Sequence, residues 1–342
     1  GNDNSLQPHM SLCLMVKNEA ETLDTCIASA FDLVDEIIIG VDQSTRDESY
    51  AIAEQWVQKK NLGKVFYFEW IDDFSAIRNL IHSHASGRWI LELDGHEFFL
   101  PAHVEKLKGM YGMLEEYDIV RLSLYNSEVK DVVVQPRLFK NLPHIKYVQA
   151  IHNLLIGSQN QFTIPDNMVQ IQHERPAWLI KEREKQRMAM LPKVCERALQ
   201  KNPDDIHALT YMAKYYLQTK KFHSANVLYK RLLARLHHDD AKKYMTLIEY
   251  SQSLFRAGSP EKSHDLLVRA ICLFYNLPMA YIELGMQCLY KNKPNEAEHW
   301  YKLATHLTEP VNTGQPMNMV YYKYLPWLLL TELYRYCGKY PK

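Results

Sequence analysis

The stretch that decides the fold is Gly87-Arg88-Trp89-Ile90-Leu91-Glu92-Leu93-Asp94-Gly95-His96-Glu97, in which a short apolar run ends abruptly in acidic and imidazole side chains. The run predicts a buried strand, and ligands of open α/β sheets bind beyond the carboxyl ends of the strands. Asp94 and His96 can share one metal ion, with donor atoms that suit Mn²⁺ better than Ca²⁺. The alternative is a polar turn that only closes the strand, because a lone D-x-H pair is a weak motif.

Three further strands precede this one, and polar residues follow each of them. The strands are predicted at 11–16, 35–41 and 65–70, with helices between them. Alternating strands and helices indicate a parallel α/β sheet with helices on both faces. The polar clusters therefore fall at one edge of the sheet, where a nucleotide would lie.

The pattern becomes looser after Pro101. Segments 119–125, 137–140 and 145–156 predict shorter strands of mixed direction, which would complete the sheet and build the acceptor side.

Four motifs occur in the order and spacing of one known family. They are S-L-C-L-M-V-K-N-E, D-E-I-I-I-x-V-D, F-E-W-I-D-D-F-S-A-x-R-N and G-x-W-I-L-x-L-D-x-x-E. Over residues 11–235 the chain resembles bacterial family 2 glycosyltransferases of the GT-A fold, in the branch with C-terminal tetratricopeptide repeats. The resemblance implies a nucleotide-sugar-binding domain in which Asp42 contacts the base and Asp94 the ribose or metal.

Three positions depart from the usual motifs of this family. The usual D-T-G-S-T-D after the second strand is replaced by a segment without glycine, which begins at Asp42. The usual D-A-D-E is Asp94-Gly95-His96-Glu97, so His96 stands where the family has its second acid. The later V-H-E reads Ile151-His152-Asn153, so the glutamate that is a plausible base in the family is missing.

The resemblance implies a binding site for a donor and for a divalent ion, Mn²⁺ or Mg²⁺. The expected metal ligands are Asp94, His96 and His173, where His173 matches a C-terminal histidine that reaches the metal or the diphosphate. A structural role for His173 is the alternative. The residues expected to bind the nucleotide sugar are Lys17, Asn18, Glu19, Asp42, Arg78 and Asp94. For Arg78 a phosphate contact and a buried ion pair with Asp72 or Asp73 are both open.

The catalytic base is the weakest point of the site. An asparagine at 153 cannot accept a proton near neutral pH, so the candidates are Glu97 and His152. Residues 152 and 153 would point to opposite faces of a strand, and this favours Glu97. A lost base is the third possibility.

The second half of the chain is predicted to be helical, which divides the protein into residues 1–178 and 179–342. A tetratricopeptide-like pattern recurs, with Ala225, Ser263 and Ala297 at equivalent positions. Their separations of 38 and 34 residues agree with the repeat period of roughly 34. A fourth unit begins near Trp327. The aromatic residues of the pattern are expected to pack between helices, and the repeats alone identify no partner.

The balanced net charge conceals two halves of opposite sign. Residues 1–180 carry 15 Lys and Arg against 25 Asp and Glu, whereas residues 181–342 carry 25 against 15. The charges would either dock the two domains on each other or recruit an acidic acceptor or a phosphate-rich surface. No apolar run reaches the roughly 18 residues of a membrane span, and the six scattered cysteines suggest reduced thiols in the cytoplasm.

The sequence predicts an inverting, metal-assisted glycosyltransferase that uses a nucleotide sugar, with UDP-sugar as the expected donor. Its acceptor would present a hydroxyl or thiol and belong to a peptide, protein or glycan engaged by the repeats. No nucleic acid is expected as a partner. The alternative is a non-catalytic adaptor that binds the nucleotide sugar and works through its repeats, and Asn153 favours that alternative.

Overall fold

The computed structural model describes residues 9–307 and 324–338. The chain divides into two compact units, Gly1–Arg187 and Met188–Lys342. This division lies inside helix α5 (Ala177–Lys201), whose first residue is close to the predicted boundary at 178. No helix in the described ranges is both long and apolar enough to cross a membrane.

The first unit alternates strands and helices up to its fourth strand and then consists mostly of strands. Its helices are α1 (Ala20–Ala30), α2 (Ser49–Lys60), α3 (Phe74–His82) and α4 (Pro101–Leu114). Its strands are β1 (Met10–Val16), β2 (Glu36–Asp42), β3 (Gly63–Phe68), β4 (Trp89–Asp94), β5 (Glu97–Phe99), β6 (Ile119–Asn126), β7 (Asp131–Lys140), β8 (Lys146–Val148), β9 (Leu154–Ile156), β10 (Gln161–Thr163) and β11 (Gln170–His173). The first four predicted strands are confirmed, with small shifts at their ends.

The main sheet has the strand order β3-β2-β1-β4-β7-β6-β11-β5, and β10 pairs with β6. Strands β1 to β4 are parallel, as the alternating pattern predicts. Strand β7 runs antiparallel to both β4 and β6, so the second part of the sheet is mixed. The carboxyl ends of β1, β2 and β4 consequently meet at one edge.

Hydrophobic cores lie on both faces of this sheet. Leu12 and Leu14 of β1 pack with residues of α1, α2 and α4 on one face. Cys13, between them, packs with Ile77 and Ile81 of α3 on the other face. Because successive side chains of a strand alternate between faces, a strand buried on both sides reads as a continuous apolar run.

The segment 145–156, which was predicted to be a strand, is only partly one. Strands β8 and β9 form a separate antiparallel pair, and the loop between them spans 149–153. Gln149 and His152 have positive φ values of 73° and 47°, so the chain bends sharply there. The assumption that His152 and Asn153 lie on a strand is therefore wrong.

The second unit consists of helices that follow α5. They are α6 (Ile206–Gln218), α7 (Phe222–Leu233), α8 (Asp240–Arg256), α9 (Pro260–Leu273), α10 (Met279–Tyr290) and α11 (Pro294–Thr305), followed by the helix Leu325–Tyr336. Ala225, Ser263 and Ala297 are all fully buried near the starts of α7, α9 and α11. Tyr229 and Tyr301 are buried between helices as well, which agrees with the packing role predicted for the aromatic positions. The predicted fold class, an α/β domain followed by an all-α repeat domain, is confirmed.

Candidate functional site

The turn Lys17-Asn18-Glu19 after β1 connects the polar ends of the neighbouring strands. Lys17 Nζ lies 3.4 Å from Asp42 Oδ2 at the end of β2. Asn18, which adopts a positive φ, accepts a hydrogen bond from the backbone N–H of Arg46 at 2.8 Å. Glu19 Oε1 lies 2.7 Å from His96 Nδ1, just past β4. The structure thus brings these predicted residues to one edge of the sheet.

Asp42 is held in a fixed orientation at this edge. Its side chain is buried, and Oδ1 accepts hydrogen bonds from the Ser44 backbone N–H at 2.8 Å and the Ser44 hydroxyl at 2.6 Å. Together with the Lys17 contact, these bonds fix both carboxylate oxygens. The Asp42 carboxylate is therefore held in one orientation at the end of β2.

Asp94 lies between two arginines. Arg78 Nη2 is 3.3 Å from Asp94 Oδ1, and Arg137 Nη2 is 3.6 Å from Asp94 Oδ2. Burial alone would raise the pKa of Asp94, but the two guanidinium groups hold it well below its usual range. Asp94 is therefore ionised at neutral pH, and Arg78 forms a buried ion pair whose partners are Glu92 and Asp94.

Glu92, also on β4, organises a buried polar network beneath Asp94. It contacts Arg78, and it lies 2.7 Å from His82 Nε2 and accepts the Tyr147 hydroxyl at 3.0 Å. Burial alone would raise the pKa of Glu92, but the charge of Arg78 and the hydrogen bond with His82 lower it. Glu92 and Asp94 are two residues apart and point to the same face of the strand.

Glu97 is fully buried and engaged through both of its oxygens. Arg137 donates to it from Nε at 3.1 Å and from Nη2 at 2.8 Å, and the Asp94 backbone N–H donates at 3.0 Å. Burial alone would raise the pKa of Glu97, but the Arg137 charge lowers it. This geometry weighs against Glu97 as a catalytic base and gives it the role of fixing Arg137 beside Asp94.

The loop that carries His152 and Asn153 is attached to α3. Ser75 donates to the carbonyl of Gln149, and the Phe74 N–H donates to the carbonyl of Ala150 at 2.9 Å. His152 is exposed, whereas Asn153 Nδ2 is buried with no hydrogen-bond partner. Because α3 also carries Arg78, the loop is tied to the helix that contacts Asp94.

His96 and His173 are neighbours at the same edge. Their rings are perpendicular, with centroids 4.6 Å apart, and His173 Nδ1 lies 3.3 Å from Glu97 Oε1. His96 Nε2 is buried without a hydrogen-bond partner, so it fits the position of a metal ligand. Burial would lower the pKa of His96, but the hydrogen bond and charge of Glu19 raise it.

A complete metal centre is not assembled, however. Within residues 9–307 and 324–338, no group of three or more His, Cys, Asp and Glu side chains is arranged to hold a metal ion. Asp94, His96 and His173 are brought close together, but Asp94 is paired with arginines and His173 with Glu97. The role of these residues as metal ligands stays a prediction.

Comparison with known proteins finds a family match within the first unit. Residues 11–168 match the family model described as Glycosyl transferase family 2. This part of the chain is similar to family 2 glycosyltransferases. The resemblance inferred from the four motifs is thereby confirmed.

Two curated proteins are similar to this chain over part of their length. A TPR repeat-containing protein of Synechococcus elongatus is 32% identical, over 50% of this chain and 39% of the relative. The SPbeta prophage-derived glycosyltransferase SunS of Bacillus subtilis is 23% identical, over 73% of this chain and 64% of the relative. The chain therefore spans less than two thirds of the length of either relative.

Solved structures with weaker similarity include S. aureus TarS 1–349 and MamA. The TarS structure is 12% identical, with a TM-score of 0.42, and the match covers 91% of this chain and 93% of that one. The MamA structure is 17% identical, with a TM-score of 0.34, over 46% of this chain and 83% of that one.

The sequence did not predict every residue of the site. Four residues near Asp94 were not predicted. Arg137 contacts Asp94 directly, and Glu92 contacts Arg78, His82 and Tyr147 in the buried network beneath it. One signal was available, because Glu92 interrupts an apolar strand on the same face as Asp94. The Arg137 contact depends on the pairing of β7 with β4, which no local pattern reveals.

Proposed function

We propose that the protein is an inverting glycosyltransferase that moves a sugar from a UDP-sugar to a hydroxyl or thiol of an acceptor. The main support is that Lys17, Asp42, Asp94 and His96 lie together at the carboxyl ends of the strands, within the region that matches the family 2 model. Open α/β sheets bind nucleotides at this edge. Asp42 and the Lys17-Asn18-Glu19 turn would hold the base and ribose.

The leaving diphosphate requires positive charge. Arg78 and Arg137 place two guanidinium groups beside Asp94, and both are largely buried, so their charges are weakly screened. Asp94, His96 and His173 would hold Mn²⁺ or Mg²⁺, which supplies Lewis acidity when it is bound. Arg78 and Arg137 would thus orient the donor and offset part of the negative charge that develops on the leaving diphosphate.

We propose His152 as the base that acts on the acceptor. It is exposed on a bent loop, and an imidazole titrates near neutral pH with an unperturbed pKa of about 6.5. Glu97 is excluded from solvent and held by Arg137, and Asn153 cannot accept a proton. A His152→Gln variant should lose the limb of the pH–rate profile near neutrality while it keeps donor binding.

Donor binding can be tested without knowledge of the acceptor. Calorimetry and thermal unfolding would be measured with UDP, GDP and CDP, each with Mn²⁺ and with a chelator. We expect binding of UDP that is enhanced by Mn²⁺, and slow hydrolysis of one sugar in a panel of UDP-sugars. His96→Asn should abolish the enhancement by Mn²⁺. If no nucleotide bound under either condition, the proposal would be wrong.

A second candidate function is a nucleotide-sugar-binding adaptor that acts through its helical repeats. The arrangement of Glu97 and Asn153 favours it, since neither of them can serve as a base. In that case wild-type protein would bind UDP but show neither hydrolysis nor transfer with any sugar. A gain of hydrolysis in Asn153→Glu would support the adaptor, because it would show that a base is the missing element.

The proposed function also includes a cellular location and binding partners for the protein. We place the protein in the cytoplasm, with a peptide, protein or glycan as acceptor and without a nucleic-acid partner. The six cysteines are free thiols, which agrees with a reducing compartment.

A further inference from the structure

Glu19 is buried, and its carboxylate contacts His96. Binding a base or a ribose does not require such a contact. The Glu19 side chain is 2% exposed, and its backbone N–H donates to Ser49 Oγ at 2.9 Å. Ser49 is itself fixed by a 2.6 Å hydrogen bond to Asp47. Glu19 Oε1 then lies 2.7 Å from His96 Nδ1. The carboxylate is therefore directed at the imidazole ring from a rigid backbone position.

The chemistry of this contact determines which nitrogen of His96 carries the proton. An ionised carboxylate can only accept hydrogen bonds, so Nδ1 must be the donor. In the neutral ring, Nε2 then keeps its electron pair. Nε2 is also the buried atom that has no hydrogen-bond partner. Carboxylates that bind one nitrogen of a histidine in this way commonly orient the other nitrogen toward a metal ion.

We infer that Glu19 is a positioning residue, which in the neutral ring of His96 keeps the proton on Nδ1 and leaves Nε2 as an electron-pair donor to the site. This assigns the Glu19 carboxylate a role beyond the contact with base and ribose that is proposed for the Lys17-Asn18-Glu19 turn. The inferred tautomer is a property of the free protein, whereas its consequence for a divalent ion rests on the proposed function.

Gly95 belongs to the same arrangement. A Cβ added at position 95 would lie 2.6 Å from Glu19 Oε2, which is closer than real Cβ contacts permit. Alanine at this position would displace the carboxylate from His96. Thr22 of α1 donates to the carbonyl of Gly95 at 2.8 Å, so the backbone cannot simply move away. Glycine at 95 is thus a condition for the contact between Glu19 and His96.

Arg183 provides a partial counter-charge for Glu19. Its Nη2 lies 3.8 Å from Glu19 Oε1 and donates to the Lys17 carbonyl at 2.9 Å. The distance to Glu19 is too long for a hydrogen bond. His96 therefore remains the hydrogen-bond partner of Oε1, and Arg183 acts on Glu19 mainly through its charge.

The tautomer can be observed directly by nitrogen NMR of histidine-labelled protein at alkaline pH, where the ring is neutral. The His96 signals are assigned by their loss in His96→Asn. Wild type should show a protonated Nδ1 and an unprotonated Nε2. Glu19→Gln should shift the population toward a protonated Nε2, because an amide can donate to Nδ1 as well as accept from it. A His96 spectrum unchanged by Glu19→Gln would overturn the inference.

Two further variants separate positioning from a general effect on folding. Glu36→Gln removes a buried carboxylate at the opposite end of the sheet, where Glu36 binds Ser11 and Ser86, and it should leave the His96 signals unchanged. Gly95→Ala should shift the His96 tautomer although every charge is retained. Identical effects of Glu19→Gln and Glu36→Gln on His96 would contradict a specific role for Glu19.

The consequence for metal binding is tested by calorimetry of Mn²⁺ in the presence of UDP. Glu19→Gln should weaken Mn²⁺ binding by about 10- to 100-fold, which is typical for the loss of a carboxylate behind a histidine ligand. In the His96→Asn background the same substitution should have no further effect. A full effect in that background would show that Glu19 does not act through His96. If wild type bound UDP but no Mn²⁺, the metal in the proposed function would be refuted, and the NMR experiment would still decide the role of Glu19.

Discussion

Arg137 lies among three carboxylates, and its side chain is 8% exposed. It is 2.8 Å from Glu97, 3.6 Å from Asp94 and 3.8 Å from Glu92. Removing one member of a buried ion pair leaves uncompensated charge and costs about 3–5 kcal/mol. We therefore expect Arg137→Met to lower the free energy of unfolding by that amount in urea titrations of the whole chain.

A matched substitution tests whether burial is the reason. Arg88 pairs with Glu115 at 3.0 Å, but its side chain is 55% exposed. Exposed pairs contribute about 0–1 kcal/mol, so Arg88→Met should change the unfolding free energy by no more than that. Equal losses in the two variants would mean that the buried network around Asp94 does not stabilise the domain.

The contact between Glu19 and His96 gives a pH dependence of stability with a defined sign. The pKa of His96 is raised in the folded protein above its unfolded value of about 6.5. Its stabilising contribution is therefore fully present below pH 6.5 or so and is lost as the pH rises through the folded pKa. The stability difference between wild type and His96→Asn, measured by urea unfolding from mildly acidic to alkaline pH, should shrink as the pH rises. A difference that grows with pH would contradict this assignment.

The strands and helices show which parts of the fold follow from local sequence. Strands β1, β2 and β4 were predictable because they are apolar on both faces and end at polar clusters. The hairpin of β8 and β9 was not, since its bend depends on hydrogen bonds from α3 to the carbonyls of Gln149 and Ala150. The same limit applies to the site. Local motifs located Asp94 and His96, whereas Arg137 reaches Asp94 only through long-range strand pairing.

Helices α10 and α11 pack so closely that a small residue is required between them. A Cβ added to Gly285 would lie 2.4 Å from the ring of Tyr301, which is fully buried. Alanine normally stabilises a helix interior relative to glycine by about 1 kcal/mol. Here the steric overlap should outweigh that gain, because overpacking costs about 1–3 kcal/mol. Gly285→Ala should therefore lower the melting temperature of the protein.

Gly109 is the control for this reasoning, because it lies in helix α4 with no atom within 4 Å of an added Cβ. Gly109→Ala should raise stability by about 0.5–1 kcal/mol. Stabilisation by both substitutions would show that the two helices of this repeat can separate to accept the methyl group. That outcome would remove the steric explanation for the small residue in the repeat pattern.

Over the whole chain, charge is distributed unevenly between the two halves. The second half carries 25 Lys and Arg against 15 Asp and Glu from residue 181 onward. Part of this excess lies just before α7 and at the end of α8, where Lys220, Lys221 and Arg256 line an open pocket of about 410 Å³. Clustered positive charge attracts anionic groups and does so less strongly at high salt. If the repeats recruit the acceptor by charge, this positive cluster is the place where an acidic or phosphate-bearing group would bind.

The double variant Lys220→Glu with Lys221→Glu tests this recruiting surface. Each reversed surface charge changes an interaction by roughly 0.5–1 kcal/mol, so acceptor turnover at low salt should fall about tenfold for the pair. Hydrolysis of the donor should not change, since the residues proposed to bind the donor belong to the first unit. Lys262→Glu with Arg269→Glu makes the same change in net charge on exposed positions of α9 and should have a smaller effect. If both double variants reduced turnover equally, only the net charge of the repeats would matter. Unchanged turnover in both would show that the repeats do not recruit the acceptor by charge.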